Sequence, residues 1–508
     1  MPLPSLDTTA PAADMTTDAR GQLPKLALVL IDSKKEPWRI GQIAFFDALT
    51  TRLIGRGGEK MEEYASFDWQ RPGDPPPVPL GISGCLAGDS LSRRQSVVTA
   101  SAVDLEIVNV GGCKMAVDGK EVTRATLRPG GTFILVGEAV FLCVGRAPVL
   151  DVLRHARVAH PFGERDAAGI VGEGPEAWRI RDEATRLGEG TDFVLILGES
   201  GTGKTAVSRL IHQASSRARG PFVLRNSLNL SEGLLEAQLF GKIANFPNPG
   251  AAVEGIFPAA EGGTLFLDEI GRLSKDAQGS LLSALDNGGY QRLGESTPRR
   301  IDVRFVGATN LDKSALQGDF QYRFAEELRI APLRERREDI PLLVRELLRR
   351  RLAKNASLLR LFSRGPGGLL YPRISGRLID FLVHHELNGN TRELDGLIAA
   401  AVGRSHEDRV VMFSSKGGAS PSIRPASTAP VSQPPSSAPV SQPPSTERDA
   451  DDGKPPVTKE ALVAALGKAK GNISRAAKVL GVQRSKLYRI KREFGIEEPE
   501  EEEEKDEE

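Results

Sequence analysis

Eight consecutive residues, Gly198, Glu199, Ser200, Gly201, Thr202, Gly203, Lys204 and Thr205, carry the most explicit chemistry in the chain. They fit the G-x-x-x-x-G-K-[ST] spacing in full. Glycines at 198, 201 and 203 let the backbone curl until its N–H groups face phosphate oxygens. A helix starting at Lys204 adds its positive N-terminal end, and Lys204 places a point charge on the β- and γ-phosphates. The Thr205 hydroxyl suits Mg²⁺, so the ligand this pattern accommodates is a nucleoside triphosphate with its metal. Asp268 and Glu269 follow the apolar run 263–267. Asp268 suits a metal held through water, and Glu269 suits polarisation of an attacking water. Asn310, beyond the run 303–307, is a polar tip suited to sensing a γ-phosphate.

Elements must hold these groups together. Phe193–Leu197 reads as a strand entering the glycine loop, and Ala206–Ile211 as the helix leaving it. Three apolar strands that each end in polar chemistry predict a parallel sheet with its site at the carboxyl edge. The charged stretch from Leu333 to about 410 reads as a helical lid over an α/β ATPase core.

Length and composition bound the rest. A chain of 508 residues should hold about three domains. Lys+Arg and Asp+Glu are both 67, so net charge selects no partner, whereas local charge does. Cys85, Cys113 and Cys143 form neither a disulfide framework nor a zinc pattern, which suits a reducing compartment. No signal peptide and no membrane-length apolar run are present, so a soluble cytoplasmic protein with no membrane partner is expected.

The expected order is a disordered arm (1–23), an all-β sandwich (24–146) and a linker (147–167). The α/β core (168–332) and helical lid (333–412) follow. A Pro/Ser linker (413–457) carries Val-Ser-Gln-Pro-Pro-Ser twice, before an all-α domain (458–496) and an acidic tail (497–508). In the all-α domain, Gly481 supplies a turn between two short helices, and nine Lys/Arg with no acid lie between Lys468 and Arg492. That is a phosphate-binding footprint. Gln483, Arg484, Ser485 and Lys486 would face DNA base edges, and Arg489 would touch backbone. The tail, with ten acids and one lysine, reads as a solvated run or as a DNA mimic competing for the basic helix.

Three resemblances follow from these motifs. Gly55-Arg56-Gly57, then Ser92-Arg93-Arg94-Gln95, Asn109 and the hairpin Val117–Val122 resemble a forkhead-associated (FHA) domain. The resemblance implies that Arg56 contacts a phosphopeptide, Ser92 hydrogen-bonds its phosphate and Arg93 supplies charge. The implied partner is a phosphothreonine protein or its Ser/Thr kinase. Gln95 stands where the family has His, and a Pro-rich insertion from Arg71 to Val78 separates the two motifs. A sandwich that has lost phosphopeptide binding and docks only intramolecularly is the other reading.

Residues 168–410 resemble the AAA+ domain of bacterial enhancer-binding proteins that activate sigma-54 RNA polymerase. The matches are Gly198–Thr205, Leu239-Phe-Gly241, Gly262–Ile270, Pro332–Pro341 and Gly389–Leu394. The resemblance implies ATP at the interfaces of a homo-oligomeric ring, from dimer to hexamer. It places Val171 beside adenine and Asn226 as a restraint on Glu269. Arg392 becomes a lid arginine reaching phosphates, and Arg323 an arginine donated to a neighbouring subunit. Gln317 replaces a first paired arginine, and a neutral amide lacks its charge. Where the family has its flexible sigma-54 loop, this chain has Ala244-Asn-Phe-Pro-Asn-Pro249, stiffened by two prolines.

The C-terminal helices resemble a Fis-type helix-turn-helix. Taken together, the expectation is an ATP-dependent, DNA-binding regulator acting on sigma-54 RNA polymerase from an upstream promoter site. The alternative is a non-enzymatic ATP-binding, DNA-binding regulator that does not engage sigma-54, because 244–249 is altered.

Overall fold

A computed structural model describes residues 24–58, 60–72, 85–230, 234–246, 248–405 and 409–410, with Ala464, in a helix, beyond them. The 1–23 arm, the 413–457 linker, the acidic tail and Gln483, Arg484, Ser485, Lys486 and Arg489 therefore lie outside the described residues. The chain divides into units 1–421 and 422–508, and the first is described below.

The N-terminal β-runs become ten strands: β1 Lys25–Ser33, β2 Ile43–Phe46, β3 Thr51–Ile54, β4 Ser96–Ala100, β5 Leu105–Asn109, β6 Met115–Val117, β7 Lys120–Val122, β8 Arg124–Leu127, β9 Thr132–Leu135 and β10 Ala139–Arg146. They form two antiparallel sheets, β2-β1-β10-β9-β6-β7 and β3-β4-β5-β8. The expected hairpin closes at Asp118 and Gly119, whose φ angles of 50° and 75° are what a two-residue turn matched to strand twist requires. Leu26, Leu28 and Leu30 of β1 point into the sandwich core beside Phe133 and Phe141. Ala27, Val29 and Ile31 are equally buried but face the other way, into a second core. The uninterrupted apolar run of β1 is thus explained by burial on both faces, where a half-exposed strand would alternate.

The next elements are α1 Pro175–Glu189, β11 Val194–Leu197, α2 Lys204–Gln213, β12 Phe222–Asn226, α3 Leu235–Phe240, a hairpin of β13 Gly241–Lys242 and β14 Val253–Glu254, α4 Ile256–Ala259 and β15 Thr264–Asp268. Then come α5 Lys275–Asn287, a small ribbon of β16 Gly289–Tyr290 and β17 Arg299–Arg300, β18 Arg304–Thr309, α6 Gly318–Tyr322 and β19 Glu326–Arg329. Five parallel strands stand in the order β12-β15-β18-β11-β19. The sequence exposed β11, β15 and β18 as strands because they are central and each is built around a buried apolar run. The edge strands β12 and β19 carry Arg225, Glu326, Glu327 and Arg329, so no apolar run betrays them.

The lid comprises α7 Ile340–Lys354, the β20 Phe362–Arg364 and β21 Leu370–Pro372 pair, α8 Gly376–His384 and α9 Asn390–Arg404. It does not stand free of the sandwich. Ala27, Val29, Ile31, Val140 and Leu142 share one apolar core with Val344, Leu378, Ile379, Leu382, Leu394 and Ile398. Thr132 donates to Asp380 across the same contact. Residues 147–167 form neither helix nor strand, yet they are pinned. Asp182 accepts the N–H groups of Arg154, His155 and Ala156 at 3.0, 2.8 and 2.8 Å. Arg345 donates to the Gly163 carbonyl, and Arg349 pairs with Glu164 at 2.5 Å.

Asp32 is buried in the sandwich–lid contact, and that burial pushes its carboxyl up from 3.8 to about 7 against the opposing pull of Arg409. Between those two values the folded protein keeps a proton that the unfolded chain releases, so stability falls as pH rises through the window. Asp339, raised to about 6 by burial and by Glu338, acts in the same direction. Asp32→Asn should therefore flatten the loss of melting temperature between about pH 4 and about pH 7, with a residual slope from Asp339. A variant whose melting temperature falls as steeply as that of wild type would contradict this.

Candidate functional site

The glycine loop lies between β11 and α2 and is folded as a phosphate cradle. Gly201 and Gly203 take φ angles of 81° and 107°. A Cβ on Gly201 would stand 2.5 Å from the Gly389 carbonyl, so lid and loop touch there. Beside the loop opens a cleft of about 950 Å³. Thr202, Gly203 and Thr205 line one part, and Ile170, Val171, Leu343 and Leu347 supply apolar walls. Val171, which the resemblance places beside adenine, is one of these walls. Lys204 is buried, and its Nζ donates to the Gly198 and Glu199 carbonyls at 2.8 and 3.1 Å. Desolvation holds its pKa below the usual lysine value, against the pull of Asp268 and Glu269. A buried ammonium with neutral acceptors beside a roomy cleft fits the phosphates of ATP.

Asp268 ends β15, and the Glu269 N–H donates to its carboxylate at 3.0 Å. Glu269 adopts a left-handed φ of 59°, which turns it out of the strand direction. Its Oε2 is buried without a hydrogen-bond partner, and the Arg272 guanidinium lies 3.8 Å away. An unpartnered buried carboxylate oxygen suits the orientation of a water. Among the described residues no three His, Cys, Asp or Glu side chains converge as a metal site. Mg²⁺ would therefore rest on Thr205, Asp268 and the nucleotide's own phosphates. Asn226 lies opposite Asp268 in the β12–β15 register, and its side-chain oxygen accepts from the Leu228 N–H at 2.9 Å. It caps the following turn, whereas the resemblance implied a restraint on Glu269. Asn310 lines a separate crevice with Gly198, Arg329 and Arg334, and its Oδ1 has no partner.

The lid grips the loop through side chains that the sequence reading did not assign. Arg334 forks onto Glu199 at 2.9 and 2.6 Å. Asn390 donates to the Glu199 carboxylate at 3.0 Å and to the Ser200 carbonyl at 3.1 Å. Thr391 donates to the Gly201 carbonyl at 2.6 Å, and Arg336 to that of Thr202 at 2.9 Å. Arg392 donates to the Ser200 hydroxyl while lining the cleft. Expected as nucleotide contacts, Glu199 and Ser200 turn their side chains to the lid, because adjacent cations and amides outbid solvent for them. The Arg334 guanidinium holds the Glu199 carboxyl below its usual range. Arg334, Asn390 and Thr391 sit inside the very motifs that singled out Arg392, and that adjacency was the available signal.

Arg323 caps the end of α6, half exposed, with its guanidinium 2.5 Å from Asp286 of α5. It is not among the residues lining this chain's own cleft. Gln317 caps the other end of α6, and its backbone N–H donates to Gln278 at 2.8 Å. The altered loop sits at the tip of the β13–β14 hairpin. Asn245 accepts the Gly250 N–H at 3.2 Å on its side chain and donates its own N–H to Gly250 at 2.9 Å. The Phe246 ring packs over Gly294. Pro247 lies outside the described residues.

Arg56, Ser92 and Arg93 come together at one edge of the sandwich. The Arg56 N–H donates to the Ser92 carbonyl at 3.0 Å, and both arginines are exposed. Ser92 Oγ accepts from the Gly112 N–H at 2.8 Å, which leaves its hydroxyl proton to donate. Gln95, in place of the family's His, is fully buried. Its amide donates to Asn109 at 2.7 Å and to the Cys113 carbonyl at 2.8 Å, and its oxygen accepts from the Ser92 N–H at 3.0 Å. Gln95 thus ties the loop before β4 to the end of β5 and the β5–β6 loop behind the arginines. Gln95→Ala should cost about 2–4 kcal/mol in chemical denaturation, since it strands several buried polar groups. A loss below about 0.5 kcal/mol would contradict the tie.

Residues 170–334 match the Sigma-54 interaction domain, and residues 455–492 match the Fis family of bacterial regulatory proteins. The chain is similar to the transcriptional regulatory protein ZraR of Klebsiella oxytoca, 35% identical over 66% of this chain and 72% of that one. It is similar to the DNA-binding transcriptional regulator NtrC of Bradyrhizobium sp. (strain RP501 Parasponia), 35% identical over 67% and 73%. Among solved structures it is similar to NtrX of Brucella abortus in complex with ADP, at a TM-score of 0.42 and 26% identity over 65% and 70%.

Proposed function

Because the chain belongs to the family of sigma-54-dependent transcriptional activators with a Fis-type helix-turn-helix, we propose that it hydrolyses ATP in an oligomeric ring to remodel sigma-54 RNA polymerase at a promoter. The observation that supports hydrolysis, beyond binding, is the pairing of a complete phosphate cradle after β11 with Glu269 at the end of β15, one strand further across the sheet beyond β18, whose buried Oε2 has no hydrogen-bond partner. Lys204 neutralises the phosphates, Asp268 and Thr205 hold Mg²⁺, and Glu269 orients the attacking water. Mg²⁺, when bound, supplies further neutralisation of the triphosphate. Asn226 restrains Glu269, Arg392 follows the phosphates from the lid, and Asn310, in the neighbouring crevice that Gly198 also lines, senses the γ-phosphate end. Arg323, away from its own cleft, is donated to the neighbouring subunit's nucleotide once Asp286 releases it.

The sandwich edge of Arg56, Ser92 and Arg93 reads phosphothreonine on a protein partner or its kinase, as in the FHA domains it resembles. Exposed guanidinium groups beside a free hydroxyl donor support that reading. A phosphothreonine peptide should bind about tenfold more weakly to Arg56→Ala, while its unphosphorylated form binds neither protein. Equal affinity for the two peptides would remove phosphothreonine reading and leave the intramolecular docking. Gln483, Arg484, Ser485, Lys486 and Arg489 hold the upstream DNA.

The rival reading, a regulator that does not engage sigma-54, draws on the folded-back Phe246 and the loop closure at Asn245 and Gly250. Family membership weighs against it. Open-complex formation by wild type, in the presence of ATP and sigma-54 polymerase, tests the choice. Activity only after the family's loop is restored at 244–249 would favour the rival.

A further inference from the structure

Arg71 belongs to the sandwich by chain position, in the connection between β3 and β4, yet its mostly buried guanidinium reaches the segment that walls the nucleotide cleft. It donates to the His160 carbonyl at 2.9 Å and pairs with Glu173 at 2.9 Å. It also stands over the Phe162 and Trp178 rings, 5.5 and 5.7 Å from their centroids. Glu173 accepts the Gly163 N–H at 2.6 Å on the same oxygen, and the His160 ring stacks on Trp178 with centroids 5.5 Å apart. Ala159, His160 and Pro161 line the cleft together with Ile170 and Val171. Residues 159–163 contain no helix or strand to fix them. Side-chain ties must do so, and Arg71 joins this wall to the start of α1 through two hydrogen bonds and two ring faces.

We propose that Arg71 is a positioning residue for the nucleotide cleft. It holds the 159–163 wall against Ile170 and Val171, so that the sandwich itself sets the affinity for ATP. The inference rests on the cleft being the ATP site. Arg71 lies on the side of Val171, away from the phosphate loop, so its influence falls on base and ribose and spares the phosphates. One fork serves both His160 and Glu173, which a lysine's single ammonium cannot reproduce in full.

The test uses full-length protein, titrated with a fluorescent N-methylanthraniloyl ATP and then competed with ATP or inorganic tripolyphosphate. Arg71→Ala is expected to weaken ATP about tenfold and to leave tripolyphosphate unchanged. Arg71→Lys, which keeps the charge beside Glu173, should fall between the two and guards against a variant that fails to fold. Unchanged ATP affinity in both variants would overturn the proposal, as would a parallel loss for tripolyphosphate, since that is the mark of general damage. No ATP binding by wild type would instead overturn the reading of the cleft itself, and this inference with it.

Discussion

Lys204→Ala is expected to lower ATP turnover about 10²- to 10³-fold or more, while the protein's melting temperature holds or rises. The two halves of that result have separate physical causes. In turnover, Lys204 is the cation embedded in the phosphate loop, between Gly203 and Thr205, which line the cleft. Alanine leaves charge developing on the phosphoryl oxygens without that partner. In stability, the same ammonium is a cost. It is buried, its carbonyl acceptors are neutral, and desolvation lowers its pKa, so the fold pays to keep it charged. Removing it relieves that penalty and forfeits two hydrogen bonds, and the net change should stay within about 1 kcal/mol. Turnover measured by phosphate release, beside a thermal melt, checks both halves. Residual activity near the wild-type level would remove the loop from the chemistry.

Val140→Asp should have the largest effect on stability, roughly 3–5 kcal/mol, and should weaken lid and sandwich together. Val140 is 1% exposed and packs against Gly376 at the start of α8, close enough that a Cβ there would stand 2.7 Å from it. An aspartate at this point would be an unpaired buried charge, with the Asp32 carboxylate also facing Gly376. Because the two regions share one apolar core, scanning calorimetry of wild type should show them melting in a single transition. Val140→Asp should lower that transition as a whole and expose the segment around 365–375 to protease. The grip of Arg334, Asn390 and Thr391 on the phosphate loop should loosen with it, so ATP affinity should also fall. A lid that keeps its protection in this variant would mean the two regions fold independently.

The phosphate loop, Asp268, Val171 and Arg392 were legible because their chemistry is local. Each is recognised by neighbours within a few positions; Val171 and Arg392 line the cleft, and Asp268 ends β15, which β18 separates from the phosphate-loop strand. The same holds for the Val117–Val122 hairpin, where Asp118-Gly119 dictates the turn. What was not legible depends on distant partners. Nothing near Arg71 in the chain announces Glu173, and nothing near Gln95 announces Asn109 and Cys113. Glu199 shows the same dependence: its loop position suggests phosphate, while Arg334, far along the chain, claims its carboxylate. The doubly buried face of β1 was written in its unbroken apolar run, but only the lid says what covers it.

That two-faced strand also bears on how the chain is made. β1 leaves the ribosome first and can pair with β2 and β10 once the sandwich is complete, covering Leu26, Leu28 and Leu30. Ala27, Val29 and Ile31 must wait for α8. That helix emerges roughly 340 residues later, on the order of half a minute at about 5–20 residues per second. Through that interval a nascent sandwich presents an apolar sheet face to solvent. Chaperone capture of stalled nascent chains should therefore be strong when synthesis stops before Gly376 and weak once α9 has emerged.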